Sequence, residues 1–149
     1  MSDIYDQIDG ATNEELWELL GSVEGEVRGD VLSQLALSYD PEQDGLPKIA
    51  MAEMAIEEYK KAGIDESDSD YAFCWATIAE NKALIGDFNG ALEYAIKAQP
   101  LITAQLLRCY DDFKWNMIKW YVKAGRYDEA HIQLASAILE TRFMEEWDE

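Results

Sequence analysis

Ile85-Gly86-Asp87-Phe88-Asn89-Gly90-Ala91-Leu92 and Ala124-Gly125-Arg126-Tyr127-Asp128-Glu129-Ala130-His131 are two versions of one turn. Each has a glycine, one intervening residue, an aromatic, and an alanine three positions later. Each lies between stretches whose apolar residues recur at every third or fourth position, the period of an amphipathic helix. Glycine accepts the positive φ that closes a helix and reverses the chain. The aromatic opens the following helix and fills the gap beside the preceding one, and the alanine lets two helices cross closely. One such hairpin cannot bury its apolar stripe alone, so hairpins must stack.

Reading outward from these turns, nearly every segment is helical. Thr12-Asn13-Glu14-Glu15 is a capping box, which opens a short helix ended by Gly21. Further helices are expected at 23–39, 48–62, 71–85, 88–99, 100–124 and 127–147. Residues 40–47 read as a loop, and Pro100 reads as a helix start. Strict alternation is rare and β-branched residues are few, so the expected fold class is all-α. The 149 residues suit one domain. It divides into an N-terminal arm with a short helix (1–22) and three units (23–64, 70–99 and 100–147).

This pattern resembles the tetratricopeptide repeat (TPR) family, as three degenerate repeats. In the middle unit the matching residues are Trp75, Ile78, Ala79, Gly86, Phe88, Ala91, Ala95, Ala98 and Pro100. Lys82 stands at the family's aromatic position. In the last unit they are Met117, Ile118, Tyr121, Gly125, Tyr127, Ala130, Leu134 and Ala137, with Ile118 in place of a small residue. In the first unit they are Leu32, Leu35, Ala36, Tyr39, Ala55, Tyr59 and Ala62, without the glycine–aromatic turn. The resemblance implies helical hairpins stacked as a short right-handed α-solenoid. It also implies that peptides or helices of other proteins bind a concave groove lined by the first helix of each hairpin. Carried over, the groove would present Ser33 and Leu37, then Phe73, Ala76, Glu80 and Leu84, then Asp112, Trp115, Lys119 and Lys123. For Phe73 and Trp115, an interface anchor and a core aromatic are both open readings. Lys119 and Lys123, one turn apart, either hold an acidic group or pair with Glu80. One TPR subfamily grips a C-terminal carboxylate with Lys and Asn where Ser33 and Leu37 stand here, so that ligand is not expected.

In the last helix, Ala130, Leu134, Ala137 and Ile138 are the expected inward stripe. Ile132, Ala135, Leu139, Phe143 and Trp147 fall on nearly the opposite side. That second stripe is expected to be an outer interface, covered by a partner or by a second copy in a homodimer. The alternatives are that the tail folds back over it or that the helix bends after Glu140.

Asp and Glu number 31 against 12 Lys and Arg, a formal charge of −19. Such a field disfavours direct nucleic-acid binding and favours basic partners. Arg108, Lys114, Lys119, Lys123 and Arg126 form a locally basic stretch, either a docking patch or internally paired. The acidic run from Asp65 to Asp70 lacks the glycine and terminal glutamate of a calcium loop. It reads instead as charge at a helix N-terminus. Cys74 and Cys109 are far apart and read as buried free thiols. His131 reads as a surface residue. No phosphate loop, HExxH or nucleophile elbow is present, so neither catalysis nor a cofactor or metal is expected. No apolar run is long enough to span a membrane, and the first residues lack the layout of a secretory signal. A cytoplasmic protein is the expectation. Together these features point to an adaptor, assembly factor or chaperone that binds a protein or peptide partner through the groove, the last helix or both. The alternative is an acidic inhibitor, a nucleic-acid mimic that blocks a basic surface.

Overall fold

A computed structural model describes the backbone of residues 4–38, 45–105 and 107–148, and the side chains of 4–36, 47–102 and 113–139. Among the described residues there are eight helices and no strand. They are α1 (Ile4–Ile8), α2 (Asn13–Leu20), α3 (Gly25–Ser38), α4 (Gly45–Lys61), α5 (Ser69–Leu84), α6 (Phe88–Gln105), α7 (Leu107–Lys123) and α8 (Tyr127–Asp148). From α2 onward each helix packs on the next in sequence, and α3 also reaches α5. The hairpins α3–α4, α5–α6 and α7–α8 therefore neighbour one another in order.

Local chemistry sets the helix ends. Thr12 Oγ1 accepts the Glu15 backbone N–H at 3.2 Å, and Glu15 Oε1 accepts from the Thr12 N–H at 3.4 Å, the expected reciprocal cap. At the two glycine turns the hydrogen bonds repeat position for position. Asp87 N donates to Lys82 O at 2.9 Å and Gly86 N to Ala83 O at 3.0 Å. Arg126 N donates to Tyr121 O at 2.8 Å and Gly125 N to Val122 O at 3.0 Å. This paired pattern requires a left-handed residue, and Gly86 and Gly125 have φ of +87° and +76°. Gly63, which the sequence reading passed over, closes α4 in the same way.

The core runs through the middle of the stack. Leu32 and Leu35 of α3, Ala55 and Tyr59 of α4, Trp75, Ile78 and Ala79 of α5, and Ala91, Leu92, Ala95 and Ala98 of α6 are all buried. α3 and α4 approach closely at one point. A Cβ added to Gly29 would lie 2.5 Å from the Tyr59 ring, so a glycine is what lets that tyrosine lie across α3.

Four expectations need correction. A helix is present at Ile4–Ile8, inside what read as an arm. Pro100 does not start a helix but lies inside α6, which continues to Gln105. Pro100 lacks the N–H that Ile96 O would accept, but both residues are exposed, so the freed carbonyl lies on the water side. Ala98 and Ile102, buried on the other face, keep the helix packed. Leu134 and Ile138, expected inward on α8, are 36% and 46% exposed. Among the described residues of α8 only Ala130 and Ala137 are buried, because α7 is the one helix in extensive contact with it. Lys114, counted in the basic stretch, is buried. Arg126 is engaged by Glu129 at 2.7 Å and lies 5.1 Å from the Tyr121 ring centroid. That leaves Lys119 and Lys123 as the exposed cations of the stretch among the described side chains.

Candidate functional site

The expected groove residues on α5 follow one stripe at helical spacing. Phe73 and Leu84 are about half exposed and Glu80 is exposed. On α7, Trp115, Lys119 and Lys123 are exposed. Phe73 and Trp115 are thus surface aromatics, not core. Protein atoms around the Glu80 carboxyl keep part of its hydration away and push it up even though the residue reaches solvent, and the cation that partly offsets this is Lys48 of α4, not Lys119 or Lys123. Leu37 and Asp112, and Phe143 and Trp147 of the outer stripe, lie outside the described side chains. Ile132 and Leu139 are two-thirds exposed.

The structure gathers a set of residues that the sequence reading did not connect. α1, α3, α4 and α5 enclose a cavity of about 320 Å³. Phe73 and Ser33, both expected groove positions, line it. So do Tyr5, Ile8 and Asp9 from α1 and its end, Asp30 and Gln34 from α3, Tyr59 from α4 and Asp70 from α5. Tyr59 forms the floor. Its phenol donates to Asp30 Oδ1 at 2.6 Å and lies 3.3 Å from Ser33 Oγ. Its ring tilts against Tyr71 with centroids 5.7 Å apart. Ser33 Oγ in turn lies 3.4 Å from the buried Cys74 Sγ, whose thiol is pushed up to about 11 by burial.

Electrostatics in this cavity run against its own charges. Burial raises the Asp30 carboxyl, although hydrogen bonds from Tyr59 and Tyr5 partly oppose the shift. Asp70 is pushed up to about 6, by burial and then by the neighbouring charges of Asp30, Asp68 and Glu26. Asp68, just before it, caps α5 by accepting the Asp70 N–H at 3.0 Å. The acidic run thus does end at a helix N-terminus, as read. Its last carboxylate is nevertheless crowded by like charge.

No group of three or more His, Cys, Asp or Glu side chains among the described residues is arranged to hold a metal ion. No described helix is long and apolar enough to cross a membrane. His131 is exposed. The one free cysteine among the described residues, Cys74, is buried; Cys109 lies outside the described side chains.

Sequence spacing alone had no means of finding this cavity, since its walls come from four helices. The available signal was weaker: one acid in the first half of each of two helices, Asp30 on α3 and Asp70 on α5, that both pack on α4. Comparison of the chain with family models, with curated proteins and with solved structures returned no match.

Proposed function

We propose that this chain is a TPR-like interaction module: three hairpins whose first helices, α3, α5 and α7, line a groove that takes a segment of a partner protein. The observation that carries this reading is the exposure of Phe73, Leu84 and Trp115. These are large apolar side chains on helices whose opposite faces are core. Apolar anchors flanked by charge are the usual content of a protein-binding surface. In this reading the protein works in the cytoplasm as an adaptor, assembly factor or chaperone, with no chemistry or cofactor of its own. The exposed side of α8, with Ile132 and Leu139, is a second docking face for a partner or for another copy.

The test compares three proteins on one peptide array: wild type, Phe73→Ser with Trp115→Ser, and Ile132→Glu with Leu139→Glu, each checked for helical content. Loss of bound peptides in the first variant only assigns binding to the groove. Retention of all of them in that variant would sink the groove reading, and loss confined to the second would move the site to α8. Light scattering on the same samples reports whether α8 pairs two copies. A folded wild-type dimer that becomes monomeric in the α8 variant is the result expected of self-association.

A further inference from the structure

We infer that the cavity between α1, α3, α4 and α5 is a clasp for an arginine or lysine side chain of the partner segment, and that α1 supplies one of its walls. The inference rests on the interaction-module reading and specifies its ligand.

Charge is the first argument. Asp9, Asp30 and Asp70 line the cavity, and among the described residues no Lys, Arg or His does. The nearest arginine along α3, Arg28, is turned to another side, where it binds Glu58 at 3.3 Å and the Leu20 carbonyl at 2.6 Å. Asp68 and Glu26 add their charge to Asp70 from outside the cavity wall. A cation entering here relieves repulsion among groups that already face one another. The carboxylates are not gathered closely enough to hold a metal ion, whereas a guanidinium or ammonium on a long stem needs no such convergence.

Shape is the second argument. Tyr5, Tyr59 and Phe73 supply three of the walls. Aromatic faces attract cations electrostatically and also cover the alkyl stem of Arg or Lys. A cavity lined by carboxylates and aromatic rings therefore suits a basic side chain better than an acidic or purely apolar one.

The third argument is the weak hold on the α1 wall. α1 has five residues, too few to hold as a helix by itself. Ile8 is its one buried residue, and Tyr5 is 44% exposed. Asp9, at its end, lines the same cavity as Asp30 and Asp70, and Tyr5 hydrogen-bonds Asp30. A basic side chain seated between Asp9 and the carboxylates of α3 and α5 would add attraction that ties α1 to the stack.

The experiment uses the full-length chain and a fluorescein-labelled peptide of alternating arginine and leucine, read by fluorescence polarisation. A second peptide carries citrulline, the neutral isostere, in place of arginine. Near-isosteric Asp30→Asn with Asp70→Asn keeps the shape and removes the charge, so the fold is retained. Glu53→Gln with Glu57→Gln, both exposed on α4, removes the same charge elsewhere. The expected result is binding of the arginine peptide that falls about tenfold or more with citrulline or in the Asp30/Asp70 variant, but not in the Glu53/Glu57 variant. Ile8→Ser, which loosens α1 and with it the Tyr5 and Asp9 wall, should weaken binding severalfold. Equal weakening by the two charge variants would mean general attraction to an acidic protein, and would overturn the clasp. So would no binding of the arginine peptide by a protein that still binds other peptides on the array; the module reading would then stand without the clasp. Unchanged affinity in Ile8→Ser overturns the role given to α1.

Discussion

The hairpins α5–α6 and α7–α8 are closed by the same turn and buried to very different extents. Their glycines, backbone hydrogen bonds and opening alanines correspond one for one. Counting from the turn, Ala95 of α6 corresponds to Leu134 of α8. Ala95 is fully buried, whereas Leu134, the larger residue, is 36% exposed. The local sequence determines where a hairpin bends, but burial depends on what lies on both sides of it. α6 has α5 on one side and α7 on the other, while α8 touches α7 alone among the extensive contacts.

This contrast can be broken by mutation, and the largest effect should come from α6. Leu92 is fully buried, and Leu92→Ala should lower stability by about 2–5 kcal/mol, read as a lower midpoint in urea unfolding. A loss below that range would mean that α6 is no better packed than α8. The turns should respond alike. Gly86→Ala and Gly125→Ala each place a Cβ on a left-handed residue and should each cost about 1–2 kcal/mol. If Gly125→Ala proved much milder, the last turn would be fraying with its helix despite identical hydrogen bonds.

A pH scan sharpens the comparison at the other end of the stack. The Asp70 carboxyl titrates near 6 in the folded protein, against 3.8 ordinarily. The folded state therefore holds the extra proton between those values. Stability from this group is full below about pH 4 and is lost as pH rises through about 6. Asp70→Asn should flatten that slope and add about 1 kcal/mol at pH 7, less than full linkage implies because Asp70 is partly exposed. A steeper slope in the variant would overturn the assignment. The smallest change is expected on α8, where Ile138→Ser should alter stability by about 0.5 kcal/mol or less in a monomer. A larger loss, dependent on protein concentration, would show that this face is covered by another copy.

Much of the fold was legible because its determinants are local. The two glycine turns needed only adjacent residues, and the Thr12 cap needed four. Pro100 was misread because proline stops a helix only where the carbonyl it frees has nowhere to go, and that depends on which face is wet. Five residues at Ile4–Ile8 carry too little periodicity to be seen, yet burial of Ile8 suffices to fold them onto the stack. Lys114 was misplaced for a related reason: a charged residue in sequence carries no mark of its neighbours in space. Of the site, Phe73 and Ser33 were found through the resemblance. Tyr5, Asp30, Tyr59 and Asp70 were not, since what unites them is the crossing of α3, α4 and α5, and no spacing along the chain encodes it.

The contact between Gly29 and Tyr59 has an evolutionary consequence. With 2.5 Å between a hypothetical Cβ and the ring, neither position can drift alone: a side chain at 29 demands a smaller residue at 59, which would also remove the phenol that holds Asp30. Among descendants of this sequence the two positions should change together, and any that lose the tyrosine should also have remade the acidic cavity above it.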